Sequence, residues 1–270
     1  MSEHPASGSK RPIVTEQRGN VLVITLDRPS ARNAVTRELT IEVGQAMDRA
    51  ESDPSIWAVI LTGSGDRAFC AGVDLRALAA GDLDDPDERM LRWGFAGWVA
   101  HPISKPTIAA LNGPALGGGA EIALASDLIV AADHATIGLP EVTRGVLPGG
   151  GGAFRLPRQM PRKLAMELIL TGRPITAGRA LELGLVNRVV PLPSLMEEAM
   201  SLAEEICANG PLAVQASKRI AKGIDDDRIA SEEADWARSD RELAAIMGTA
   251  DAREGVAAFA ERRPPRWSAS

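Results

Sequence analysis

The 270-residue sequence has no tyrosine, three histidines and two cysteines, and aromatic residues make up only 3% of it. Each scarcity narrows the chemistry. Without tyrosine, any mechanism that relies on a phenol is excluded. His4 sits in a polar leading stretch, so a histidine triad or metal cluster would need His101 or His134. His134 lies in a polar turn, where a solvated imidazole is the commoner outcome. Cys70 and Cys207 stand far apart without metal-ligand spacing, as in a protein of a reducing compartment. Cys70, between Phe69 and Ala71, reads as a small buried hydrophobe rather than a nucleophile. No run approaches 18 uninterrupted apolar residues, so no membrane span or membrane partner is expected. "MSEHPASGSKRPIV" lacks the apolar stretch of a signal peptide, and the expected location is cytoplasmic. A basic face is also missing. The net charge is −6 with both signs interspersed, which argues against a nucleic-acid partner.

Apolar residues are plentiful, at 45%, enough for a sizeable core. Alternating strand and helix signals predict an α/β body over 13–195, after a disordered tail at 1–12. A helical region is expected over 196–270. "IVTEQRGNVLVITLDRP" reads as a hairpin turning at Gly19-Asn20. Thr36 is a candidate N-cap for a helix burying Leu39, Val43, Ala46 and Met47. "IWAVILTG", "KPTIAALNG" and "DLIVAAD" read as buried strands. "DRAFCAGVDL" reads as a loop, and Pro86 to about His101 as one helix. The helix containing "LMEEAMSLAEEI" is expected to leave an apolar face exposed.

Two glycine runs stand out. "ALGGGAE" precedes the apolar "IALA", and "PGGGGAFRL" opens a second helix. Neither satisfies G-x-G-x-x-G or is followed by a P-loop lysine, and there is no G-x-S-x-G elbow. What glycines before a helix do offer is unpaired N–H groups at the positive end of the dipole, open to close approach. Such a place suits an oxyanion. The alternative is close helix–sheet packing that needs no side chain. Gly72 in "AFCAGVDL" could present a further N–H, that of Val73. Two isolated carboxylates, Glu121 and Glu141, lie in apolar, glycine-rich surroundings suited to raised pKa values and acid/base work. The glycine-led helix from 149–152 onward is expected to lie beside Glu141 and oppose that rise.

In order and spacing, "RPSARNAV", "AFCAGVDL", "NGPALGGGAEIALASDLIVA", "GLPEVTRGVLPGGGGAFRLPR" and "AMELILTGRPITAGRALELGLVNRVV" resemble the enoyl-CoA hydratase/isomerase (crotonase) superfamily. "DAREGVAAFAERRPPRW" is similar to its last helix, so the resemblance runs from about Ile13 to Trp267. It implies an α/β spiral of ββα units with a helical C-terminal trimerisation region, assembling as a homotrimer or dimer of trimers. It also implies an acyl-CoA substrate whose thioester oxygen is held by the Val73 and Gly118 N–H groups. By the same resemblance Glu121 activates water for attack on C3, and Glu141 protonates C2. No metal or other cofactor is implied, CoA being only the substrate's carrier. The CoA groove is expected at Arg28, Ala31, Arg67, Ala71, Asp74 and Gly117. Arg32 stands where the family often has leucine. Trp93, Phe95 and Trp98 fall on the variable helix beside the acyl pocket. A matched glutamate pair favours hydration of a 2-enoyl-CoA. The alternatives are isomerisation, a specialised dehydratase such as the carnitinyl-CoA type, or a non-catalytic or RNA-binding member.

Overall fold

The computed structural model describes residues 11–82 and 86–270. The tail expected at 1–12 lies outside them except for Arg11 and Pro12. Strands β1 (Ile13–Arg18) and β2 (Val21–Leu26) form the expected antiparallel hairpin. Helix α1 (Arg37–Ser52) follows, and the Thr36 hydroxyl accepts the Leu39 N–H as its cap. Next come β3 (Ala58–Gly63), short α2 (Leu75–Ala79) and α3 (Glu88–Trp93). The chain continues through β4 (Thr107–Leu111), β5 (Ala115–Leu116) and α4 (Gly118–Ala125). A comparable passage repeats in β6 (Leu128–Ala132), β7 (Thr136–Gly138), a 3-10 turn (Pro140–Arg144) and α5 (Gly152–Gln159). Helix α6 (Arg162–Thr171), β8 (Ile175–Thr176), α7 (Ala177–Glu182) and β9 (Arg188–Val190) complete this body. Four helices dominate the rest: α8 (Leu195–Cys207), α9 (Pro211–Lys222), α10 (Glu233–Met247) and α11 (Ala250–Ala260). A hairpin of β10 (Ile224–Asp225) and β11 (Arg228–Ile229) interrupts them.

The main sheet runs β1-β2-β3-β4-β6-β9, all parallel except the β1 edge, and β5-β7-β8 form a smaller one. Side chains alternate between two cores, as the two-residue period of a strand requires. Leu22, Ile24, Val59, Leu61 and Leu111 face the core that also holds α1 and α4. Val21, Val23, Ala58, Ile60 and Ile108 face Leu195, Ala199 and Ala203 of α8. Helix α8 therefore spends its apolar face on the sheet, contrary to the expectation that it stays exposed. Helix α9, by contrast, does expose large apolar side chains, Leu212 and Ile220.

The helix expected over 86–101 is also broken. It stops at Gly94 (φ 69°), and a 3-10 turn at Phe95–Gly97 carries Ala96 at φ 60° and Gly97 at φ 67°. Contact with α1 imposes the break, since a Cβ on Gly97 would lie 2.3 Å from the Thr40 carbonyl oxygen.

Candidate active site

Two loops meet at the head of α4, and backbone bonds join them. Cys70 bridges to Ala115, the Leu116 N–H donates to the Cys70 carbonyl at 3.1 Å, and a Cβ on Gly119 would stand 2.0 Å from that oxygen. Glycine at 119 is therefore a packing requirement. The first loop is fixed from below by two buried amides. Asn33 donates to the Ser64 and Ala68 carbonyls, and Asn112 to those of Gly65 and Ala68. Val35 donates to Gly72 and accepts from Asp74, at 2.8 and 2.9 Å, which leaves the intervening Val73 N–H without a protein acceptor among the described residues.

Facing it is the first N–H of α4. Gly117 (φ 57°, ψ −126°) turns the chain into the helix, and its own N–H is taken by the Gly138 carbonyl at 2.9 Å. The Gly118 N–H has no protein acceptor among the described residues. A Cβ on Gly72 would lie 3.1 Å from Gly118 N, so the two loops are in close apposition. The arrangement is two unpaired N–H groups with a helix dipole behind them, and it suits a developing oxyanion.

Both carboxylates border this place. Glu121 is 4% exposed, and its Oε1 accepts the Gly152 N–H at 2.9 Å. A Cβ on Gly150 would stand 2.5 Å from its Oε2. Burial pushes the Glu121 carboxyl up to about 7 against the lowering effect of the glycine N–H groups. Glu141 sits in the 3-10 turn, and its Oε2 is buried with no hydrogen-bond partner. Burial, then the Glu121 charge, pushes it up to about 8. Gly117 touches both residues. Its carbonyl accepts the Glu121 N–H at 3.0 Å, and a Cβ on it would lie 3.1 Å from Glu141 Oε1. The second glycine-led helix was expected beside Glu141, but its N-terminal end holds Glu121. The 31-residue separation of that bond gives no local sequence signal.

The expected groove residues divide. Arg28 and Asp74 pair with each other at 2.9 Å, and Asp74 also caps α2, so this arginine is engaged within the protein. Arg67 and Ala71 are exposed and Ala31 is half-buried. The Ala71 N–H donates to the Arg32 carbonyl at 3.1 Å, which brings Arg32 to the same rim. Burial pushes the Cys70 thiol up to about 12, which removes it as a nucleophile at neutral pH. His101 is buried and stacks on Trp93, with ring centroids 6.3 Å apart, and burial pushes it down to about 4. His134 is exposed, as expected.

Sequence reasoning missed the support behind Glu141. A Cβ on Gly255 of α11 would lie 2.0 Å from the Arg144 carbonyl oxygen, and the Arg144 guanidinium lies 3.7 Å from the Phe259 ring centroid. The last helix thus packs directly on the turn that carries Glu141.

The family model described as enoyl-CoA hydratase/isomerase matches residues 16–270. Carnitinyl-CoA dehydratase of Proteus mirabilis (strain HI4320) is 43% identical over 253 residues, covering 93% of this chain and 95% of the relative. The crystal structure of carnitinyl-CoA hydratase from Mycobacterium avium is 53% identical with a TM-score of 0.94, covering 97% of this chain and all (100%) of that one. Enoyl-CoA hydratase from Mycobacterium tuberculosis H37Rv gives 43% identity and a TM-score of 0.74, over 97% of this chain and 100% of that chain.

Proposed function

We propose that this chain, which belongs to the enoyl-CoA hydratase/isomerase family, adds water across the double bond of a trans-2-enoyl-CoA and runs the reverse dehydration. The observation that carries the reading is the pair of carboxylates, buried Glu121 and half-buried Glu141 with its Oε2 buried, on either side of Gly117 and beside the unpaired Val73 and Gly118 N–H groups. We place the proton to be delivered on Glu141, whose carboxyl is raised by burial and by the Glu121 charge, whereas glycine N–H groups oppose the rise at Glu121.

In this reading the thioester oxygen lies between the two N–H groups. Ionised Glu121 takes a proton from water as the water oxygen bonds to C3. The double-bond electrons move onto C2 and the carbonyl, and the enolate is held by Val73 and Gly118. Glu141 then delivers its proton to C2. Both carboxylates on one side give syn addition, and the pair still holds one proton afterwards. Losing one such oxyanion donor costs roughly 2.7–4 kcal/mol of transition-state stabilisation. Every proton and charge is accounted for, so the reading calls for no metal or cofactor. CoA itself would lie along the rim of Ala31, Arg67 and Ala71.

The test is loss of the conjugated thioester absorbance on adding enoyl-CoAs of varied chain length, run in parallel in deuterated water. One deuterium at C2 of a 3-hydroxyacyl product is expected. Double-bond migration without hydration would overturn the reading.

A second reading, dehydration of a carnitinyl-CoA-type substrate, is favoured by one observation. Trp236 and Asp240 line the cavity of about 440 Å³ that Phe95 also bounds. An aromatic face with a carboxylate suits a quaternary ammonium. Arg155 already lies 5.3 Å from the Trp236 ring centroid, which leaves Asp240 as the deciding group. Asp240→Asn should then weaken a trimethylammonium acyl-CoA about tenfold more than a neutral one of equal length; equal effects reject this reading.

Assembly as a homotrimer or dimer of trimers goes with either reading. Leu212 and Ile220, 77% and 84% exposed, are apolar surface that assembly would cover, and light scattering in solution would measure the mass.

A further inference from the structure

Three large aromatic residues, Trp93, Phe95 and Trp98, lie between the start of α3 and β4, and the structure separates their roles. Trp93 is 1% exposed, packs on Gly44 of α1 and donates its indole N–H to Asp48 at 3.2 Å. Trp98 is 3% exposed and donates to the Ser126 hydroxyl at 3.1 Å. Both belong to the core. Phe95 is half-buried and points elsewhere. A Cβ on Gly118 would lie 2.4 Å from Phe95 Cε1 and 2.6 Å from Cζ, so the ring edge stands directly against the residue that offers the second oxyanion N–H. The same residue also bounds the 440 Å³ cavity, together with Met90, Leu91 and Trp236, whereas Gly118 does not line it. Gly149 lies on that wall too, next to Gly150 and hence to Glu121.

The backbone holds the ring there. Gly94 and Gly97 take φ 69° and 67°, and Ala96 between them takes φ 60°. An alanine keeps that left-handed conformation only where its surroundings fix it. Here they do, because Gly97 is pressed against Thr40 and Gly44 of α1. Phe95 is thus presented by a rigid turn rather than by a helix face.

We propose that Phe95 is the side chain that sets which acyl groups the site accepts. This rests on the reading that Val73 and Gly118 hold a thioester oxygen. The ring divides that pair from the cavity beyond, so a short acyl group fits on the near side and a longer one must displace it. Gly118 gives the ring its resting place, which is a second reason for glycine there besides access to its N–H.

The test compares wild type, Phe95→Ala and Phe95→Leu. Binding of saturated butanoyl-CoA and decanoyl-CoA, which cannot be hydrated, is measured by calorimetry. In parallel, kcat/KM is measured on the four- and ten-carbon trans-2-enoyl-CoAs. Phe95→Ala should raise the decanoyl-to-butanoyl affinity ratio at least tenfold, and Phe95→Leu at least threefold. The leucine variant keeps the test open if the alanine variant does not fold. An unchanged or lowered ratio overturns the proposal, whatever the turnover. If the ratio rises while wild type hydrates neither substrate, Phe95 keeps its role and the reaction assigned above falls. If wild type binds neither acyl-CoA, both fall.

Discussion

Glu121 and Gly152 are joined by a 2.9 Å hydrogen bond from the amide of a helix's first residue to a buried carboxylate. The same helix end brings Gly150 so close that its Cβ would sit 2.5 Å from the other oxygen. This carboxylate is therefore positioned by backbone on both sides, and several consequences can be measured.

Glu121→Gln and Glu141→Gln should each lower kcat by about 10²–10⁴-fold, the usual contribution of a general acid or base. Acyl-CoA binding should persist, since the N–H pair and groove remain. Near-wild-type turnover in either variant would remove that residue from the mechanism.

Activity should follow a narrow bell in pH. Below about 7 Glu121 gains a proton and can no longer accept one, and above about 8 Glu141 has none to give. In Glu121→Gln the Glu141 pKa should fall, because its neighbour's charge is gone, yet stay above the ordinary value because burial is the larger cause. Carboxyl carbon chemical shifts against pH would report both changes.

Stability should fall with pH over the acid limb, where activity rises. A carboxyl raised from 4.5 to about 8 keeps its proton in the folded state after the unfolded chain has lost it. Stability therefore falls as pH rises from about 4.5 to 8 and levels off above. Glu141→Gln removes that loss, so it should raise the melting temperature at pH 8 or above and change it little near pH 4.5. A gain of ~1 kcal/mol corresponds to about 2–4 °C at this size. An equal shift at both pH values would mean that Glu141 is not a buried charge.

Gly150→Ala should displace the Glu121 carboxylate and cut kcat at least tenfold, with a much smaller effect on the melting temperature. The obstructing atom is the end of a side chain, which can move aside. A variant that melts early in proportion to its lost activity would make Gly150 a packing residue only.

Gly255→Ala tests the support behind Glu141. Its Cβ would meet the backbone of Arg144, 2.0 Å from the oxygen and 2.3 Å from the carbon, so the turn or α11 must move. Overpacking of this kind costs about 1–3 kcal/mol. The expected signature is lower kcat with KM nearly unchanged and a shifted alkaline limb. Gly178→Ala, with nothing within 4 Å of its Cβ, is the control and should leave all three alone.

Much of this site is legible in the sequence because its parts are local. Thr36 caps α1 as its position suggests, and Glu121 falls in the first turn after a glycine run. The glutamate pair and the Val73–Gly118 donors follow from the resemblance once those motifs are aligned. The remainder depends on contacts between distant segments. Apolar periodicity across Trp93, Phe95 and Trp98 extends through a turn that is not helical, and only Gly94 and Gly97 signal the break. The "LMEEAMSLAEEI" stripe shows that α8 has an apolar face but not whether a sheet of the same chain covers it. Arg28 carries no mark of its ion pair with Asp74, 46 positions away. Nor does Gly255 show that it meets Arg144.

The glycines around the two carboxylates have a bearing on how this protein can vary. A Cβ at Gly117, Gly118, Gly119, Gly150 or Gly152 would come within about 3 Å of Glu141, Phe95, Cys70 or Glu121. Every single-base change in a glycine codon that alters the residue introduces a Cβ or a stop. A saturation library selected for turnover should thus show its deepest depletion at these five uncharged positions as well as at the glutamates. Changes of substrate would then enter through side chains outside these seams, Phe95 and Asp240 being the two proposed above, while the seams that hold the carboxylates stay closed to gradual change.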